Sequence, residues 1–193
     1  MKYLEALFEI IRKSCITVTE GAQEEIVDSY DKVVDVLVES FSKHKRIGST
    51  VFFIGNGGSA AIASHMTADY MKNGGMNTYS LYDSSVMTCM GNDYGYEYVF
   101  SRPLSFLIQE GDLLVAISSS GNSQNIINAI EVAKKKRAEV ITLSGFKPDN
   151  KSRQLGDINL YVNCEKYGMV ESAHNLILQQ VVDIILDRDG NGC

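Results

Sequence analysis

The sequence predicts an α/β protein: a doubly wound, five-stranded parallel sheet flanked by helices, with further helices at its N-terminus. Three observations predict it. Five short β-rich runs alternate with helical stretches, the pattern of strand–helix–strand units. The strands are apolar on both faces, as in Leu113-Leu114-Val115-Ala116-Ile117, which suits strands covered by helices above and below. The 193 residues carry no linker, repeat or low-complexity tract, so one domain over 1–193 holds the whole core.

The elements follow in order. Residues 1–45 read as helical, because Leu4, Leu7 and Ile11, then Ile26, Tyr30, Val33, Leu37 and Phe41, recur at three- and four-residue spacing. A break over Thr17–Gly21 separates two helices, with Thr19 as a cap. From residue 46 to 187 the α/β core is expected, with strands at Thr50–Ile54, Thr78–Leu81, Asp112–Ile117, Glu139–Leu143 and Ile158–Val162. The intervening helices are expected at Ala60–Lys72, Ser84–Gly91, Tyr96–Ile108, Asn122–Lys136 and Met169–Asp187. The tail Asp187–Cys193 is expected to fray.

Composition narrows the function. Hydrophobic residues make up 45% and charged residues 22%, with a net charge of −6, so a nucleic-acid surface, which needs clustered Lys and Arg, is not expected. The one basic run, Lys134–Arg137, ends a predicted helix, complements its dipole and is solvated. No apolar run reaches the roughly 18 residues of a membrane span, and the charged, amphipathic first fifteen residues are not a signal peptide. The four cysteines form no CxxC pair, which fits a reducing cytoplasm rather than a disulfide framework or zinc knuckle.

Ligands of open parallel sheets sit beyond the carboxyl ends of the strands, so the informative residues are those that follow each strand. After the first comes Gly55-Asn56-Gly57-Gly58-Ser59 and a helix. Glycines admit close backbone approach, and a helix start offers free N–H groups to an anion. Gly55, Gly57 and Ala60 also satisfy a dinucleotide fingerprint. The acid expected about 20 residues on has only Asp83 as a candidate, which lies too far along. After the third strand comes Ser118-Ser119-Ser120-Gly121-Asn122-Ser123 and another helix. One of these serines suffices as a cap; four make a phosphate cradle without lysine. Asn92 and Asp93, where the helix after the second strand ends, are within reach of sugar hydroxyls or form a simple turn.

These residues, with "GNDYG" at Gly91–Gly95, "FSRP" at Phe100–Pro103 and "VITLSG" at Val140–Gly145, resemble the SIS (sugar isomerase) domain family, in its phosphoheptose isomerase branch. The resemblance runs from the N-terminal helices through Leu186. It implies a homotetramer with sites near subunit interfaces, the helices of 1–45 packing the oligomer. It also implies conversion of sedoheptulose 7-phosphate to D-glycero-D-manno-heptose 7-phosphate. Ser118, Ser119, Ser120 and Ser123 would hold the phosphate; Asn56, Gly57, Gly58, Ser59, Asn92, Asp93 and Glu171 would line the sugar.

Four positions carry the chemistry by that resemblance, and three depart from it. The branch places a His and a Glu four apart after the first loop, and a Gln and a His eight apart on the last helix, a set that can hold zinc. Here they are His65, Asp69, Glu171 and Gln179. Gln179 cannot donate and recover a proton as His does, and Asp69 is one methylene shorter than Glu. Glu171 adds a carboxylate. His65, Asp69 and Glu171, with Gln179 beside them, are a candidate site for a divalent metal, zinc by resemblance or manganese or magnesium by donor type. Asp69 and Glu171 are the candidate catalytic bases. The plainer readings are a hydrogen-bonded His65, a solvated Asp69 and a Glu171 that complements the helix dipole. His174 reads as a supporting imidazole, and His44 as a surface residue near a helix end. Two functions therefore stand: a sugar-phosphate isomerase working through an enediol, and a non-catalytic phosphosugar-binding regulator of the kind in the same family that associates with a replication initiator.

Overall fold

A computed structural model of the chain describes residues 2–20 and 23–190. The elements are α1 (Lys2–Arg12), β1 (Cys15–Glu20), β2 (Gln23–Val27), α2 (Tyr30–Ile47), β3 (Thr50–Gly55), α3 (Gly58–Lys72) and β4 (Asn77–Ser80). They continue as α4 (Ser84–Tyr94), α5 (Ser101–Leu107), β5 (Leu113–Ser118), α6 (Gln124–Lys135), β6 (Glu139–Ser144), β7 (Ile158–Tyr161) and α7 (Tyr167–Arg188). β3 to β7 are the five predicted strands, and all pair in parallel. α7 runs through Arg188, past the predicted start of fraying, and residues 191–193 lie outside the described residues.

Alternate residues along each central strand serve opposite faces. Val51, Phe53, Leu113, Val115, Ile117, Ile141 and Leu143 pack with α2, α3 and α7. Phe52, Ile54, Leu114, Ala116 and Val140 pack with α5 and α6. This is why those runs carry no polar alternation.

The N-terminal region departs from the sequence expectation. Between α1 and α2 lies a hairpin, not a helix break: β1 pairs antiparallel with β2 and with β7. The sheet thus has seven strands, in the order β2-β1-β7-β6-β5-β3-β4. Ile16-Thr17-Val18-Thr19 is a β-branched run, stiff at χ1 and suited to a pleated surface. Its Ile16 is fully buried. Thr19, expected as a helix cap, sits inside β1, its N–H donating to Asp157 O at 2.8 Å; Gly21 lies outside the described residues. The expected helix over Tyr96–Ile108 is a 3-10 turn at Tyr96–Tyr98 followed by α5. His44, expected at the surface, is buried. Its ring nitrogens meet Ser49 Oγ at 2.7 Å and Glu139 Oε2 at 3.1 Å.

The strand order places a topological switch. From β3 the chain moves to β4 on one side; from β5 it moves to β6 on the other, and β3 and β5 are neighbours. A crevice opens at such a point, beyond the strand ends.

Candidate active site

The two Gly- and Ser-rich loops flank that crevice, one after β3 and one after β5. Between them is a cavity of about 230 Å³ lined by Asn56, Gly57, Gly58, Ser59, Ile117, Ser118, Ser119, Ser120, Ser123, Tyr167 and Glu171. Larger clefts of about 470 and 810 Å³ lie elsewhere, around Lys43, Glu139 and Ile158. There Lys43 is paired with Glu139 and Lys134 with Asp157. Size therefore does not choose the site; convergent polar groups at strand ends do.

The first loop is shaped by its glycines. Gly57, at the cap position of α3, has φ 55° and ψ −120°, a conformation that side chains disfavour. A methyl group on Gly58 would stand 2.5 Å from Cδ of Glu171 and 2.7 Å from its Oε1. The absence of a side chain at residue 58 thus lets the Glu171 carboxylate from α7 rest against the start of α3. The loop is braced from behind. Tyr82 Oη accepts the Gly55 N–H at 2.6 Å and donates to Gly55 O at 2.8 Å. Asn56 and Asn125 exchange amide hydrogen bonds, each 2.9 Å, and Tyr96 Oη donates to Asn56 Oδ1 at 3.0 Å.

The second loop exceeds what a cap needs. Ser123 occupies the cap position of α6 yet makes no side-chain capping bond. Ser119 Oγ is buried and has no hydrogen-bond partner. A buried hydroxyl facing a cavity without a partner is what a bound anion would satisfy. Gly121, at φ 65°, lies against Asn150, leaving no room for a Cβ. The Asn150 amide donates to Ser144 Oγ, Gly145 O and Lys147 O, fixing the loop after β6 against the second loop. His174 acts from the same side. Its Nε2 lies 3.2 Å from Ser144 O, and the Gly145 N–H donates to Ser119 O at 3.0 Å. Burial holds the His174 imidazole down at about 4, so it is neutral and donates through Nε2.

The sequence-derived site residues divide. Asn56, Gly57, Gly58, Ser59, Ser118, Ser119, Ser120, Ser123 and Glu171 line one cavity. Asn92 and Asp93 do not; they stand exposed on the last turn of α4, Asn92 Nδ2 bonding Asp93 Oδ1 at 2.9 Å. His65 Nε2 meets Asp69 Oδ2 at 3.2 Å, about 10 Å along α3 from Gly58. Gln179 is about 12 Å along α7 from Glu171 and donates to Asp183 Oδ1 at 3.2 Å. Among the described residues no three His, Cys, Asp or Glu side chains stand together to hold a metal ion. His65, Asp69 and Glu171 therefore form no three-ligand cluster within a single chain. Sequence reasoning missed Asn125 and Tyr167. Asn125 was legible as an amide in the first turn after the serines, and Tyr167 as an aromatic one helical turn before Glu171.

Known proteins share this fold. Residues 12–145 match the family model described as the SIS domain. The phosphoheptose isomerase of Helicobacter hepaticus is 37% identical over 171 residues, 86% of this chain and 85% of that protein. That of Sulfurimonas denitrificans is 35% identical over 191 residues, 95% of this chain and 94% of that one. Phosphoheptose isomerase GmhA from Neisseria gonorrhoeae superposes with a TM-score of 0.75 at 32% identity, covering 80% of this chain and 85% of that chain. A phosphoheptose isomerase from Francisella tularensis superposes with a TM-score of 0.80 at 26% identity, covering 97% and 95%.

Proposed function

The chain belongs to the SIS domain family, in its phosphoheptose isomerase branch, and from that premise we propose that it interconverts a ketose phosphate and an aldose phosphate, sedoheptulose 7-phosphate and D-glycero-D-manno-heptose 7-phosphate. The observation that carries this reading is the Glu171 carboxylate resting against Gly58, in the same cavity as the serine cradle. The phosphate sits among Ser118, Ser119, Ser120 and Ser123, with the orphaned Ser119 hydroxyl as one donor. The carbonyl end of the sugar then lies over Gly57–Ser59 and beside Glu171. Glu171 takes a proton from C1 of the ketose, the C1–C2 enediol forms as the C2 oxygen gains a proton, and Glu171 returns its proton to C2 as the C1 hydroxyl loses one.

The assembly belongs to the same proposal. α4 buries none of its residues, and α1 exposes Tyr3, Leu4 and Phe8. Apolar faces of this kind are covered in a homotetramer, and Asn92 and Asp93 on α4 then face a neighbouring subunit's site. Light scattering on the purified protein reads the mass. No helix of the described residues is long and apolar enough to cross a membrane; a phosphorylated sugar substrate supports a cytoplasmic location.

One observation favours a second reading, a phosphosugar-binding regulator without turnover. Gln179, where the branch carries its His, is bound to Asp183 on the outer side of α7. A coupled assay with sedoheptulose 7-phosphate, run before and after EDTA treatment, separates the two. Turnover abolished by Glu171→Gln supports the isomerase. Thermal stabilisation by the sugar phosphate with no turnover supports the regulator.

A further inference from the structure

The cavity has one aromatic wall, and the surrounding chain is strained to hold it. Tyr167, the first residue of α7, lines the cavity beside the serines and Glu171, yet it is 59% exposed. It therefore stands at the mouth. Its ring packs edge-on against Phe146, with centroids 4.7 Å apart and planes at 65°. Phe146 has φ 58°, one of two non-glycine residues with positive φ among those described. An aromatic residue adopts that conformation only where its surroundings over-determine it. Here they do. The Phe146 N–H donates to Cys164 O at 2.9 Å, its carbonyl accepts from Tyr161 Oη at 2.7 Å, and Lys147 pairs with Glu165 at 2.7 Å. These contacts zip the loop after β6 to the loop before α7 and seat the Phe146 ring behind Tyr167. Strain held in this way beside a binding cavity points to a positioned side chain rather than to packing alone.

We propose that Tyr167 is a specificity-determining residue, closing the cavity mouth over the carbons of the phosphorylated sugar between the serine cradle and Glu171 and so selecting for sugar length. This rests on the reading of the cavity as a sugar-phosphate site. Apart from Ile117 the rest of the lining is glycine or polar, so Tyr167 supplies the flat apolar surface against which C–H edges of a sugar can pack. A seven-carbon chain that reaches from cradle to carboxylate covers more of that ring than a five-carbon chain does. Contact of this size discriminates by about tenfold or more.

The test measures Kd by calorimetry for the five-, six- and seven-carbon ketose phosphates, with wild type, Tyr167→Phe, Tyr167→Ala and Phe146→Gly. Wild type should favour the seven-carbon sugar over the five-carbon by about tenfold. Tyr167→Phe should keep that ratio. Tyr167→Ala should compress it to within about threefold, as should Phe146→Gly, which accepts positive φ but frees the Tyr167 ring. A wild type without length preference overturns the proposal. So does a Tyr167→Ala protein whose affinities all fall by one common factor, or do not change. Because calorimetry reads affinity whether or not turnover follows, a protein that binds and discriminates but does not isomerise sinks the isomerase reading and leaves this one standing.

Discussion

Replacing Gly58 with alanine should cut turnover by on the order of 100-fold while leaving the fold intact, and the magnitude follows from the geometry. The added methyl would stand 2.5 Å from Cδ of Glu171. Carbon atoms rest at about 3.5–4.0 Å, so the carboxylate must retreat by about 1 Å. It can do so, because it is the far end of a half-exposed, flexible side chain. Gly57, with its positive φ, is untouched. Alanine in place of glycine favours the helix by up to about 1 kcal/mol, less at this first position. Stability should therefore hold or rise slightly. A base misplaced by about 1 Å loses on the order of 100-fold in rate, so Gly58→Ala should approach Glu171→Gln in the coupled assay. Sugar-phosphate affinity should fall far less, because the serine cradle lies after β5. The paired readouts are kcat from initial rates and Tm from scanning calorimetry. A Gly58→Ala enzyme with kcat within about threefold of wild type would refute the assignment of Glu171 as the base. A fall in Tm of many degrees would refute the claim that the carboxylate can move aside.

Gly121→Ala combines a backbone held at φ 65° with a methyl directed into the Asn150 side chain; it should destabilise the protein by roughly 2–4 kcal/mol in urea melts and weaken phosphate binding. Asn125→Ala removes the reciprocal amide pair with Asn56 and should raise KM about fivefold with little change in kcat, matching about 1 kcal/mol of lost bracing. Acid should unfold the protein in two windows. The His174 imidazole, lowered by burial to about 4, leaves the unfolded chain to bind the extra proton, so stability falls as pH drops from about 6.5 to 4. Burial raises the Glu139 carboxyl, but bonds from His44, Lys43 and Ser40 outweigh it and hold it at about 2, so its contribution is present above about pH 4.5 and lost as pH falls toward 2. Each is worth on the order of 3 kcal/mol. His174→Phe should flatten the upper window in pH-dependent melts, and an unchanged profile would show that another group controls it.

How much of this was legible in the sequence depends on the range of the interaction. The five parallel strands were legible because burial on both faces writes itself as a local apolar run, and the two loops because serine and glycine follow those runs directly. The hairpin was not. Ile26 falls in register with Tyr30, Val33, Leu37 and Phe41, so a helical period appeared to start inside a strand. In the structure Ile26 is two-thirds exposed on β2 and contributes nothing to that stripe. Ile16 and Val18 alternate over one period only, too short a pattern to mark a strand by itself. At the site, the contact between Gly58 and Glu171 joins two helices far apart in the chain. No local pattern announces that a glycine is small for the sake of one distant carboxylate. The Asn56–Asn125 pair was hidden in the same way.

The departures from the branch pattern acquire a logic once their partners are known. Asp69 turns to His65. Gln179 turns to Asp183. Only Glu171 faces the cavity, and it is the one departure that adds an ionisable group where the branch has an amide. On the proposed reading, proton-transfer capacity is moved toward the cavity rather than simply lost. Isomerisation through an enediol needs a proton carried between adjacent carbons, a task within reach of one carboxylate when the sugar is fixed at its phosphate end. On the proposed reading, holding and chemistry lie on different elements: the serines after β5 hold the phosphate, and Glu171 on α7 carries the proton beside Gly58. Variants of the serines should move affinity with kcat largely kept, and variants of Gly58 and Glu171 should move kcat with affinity largely kept.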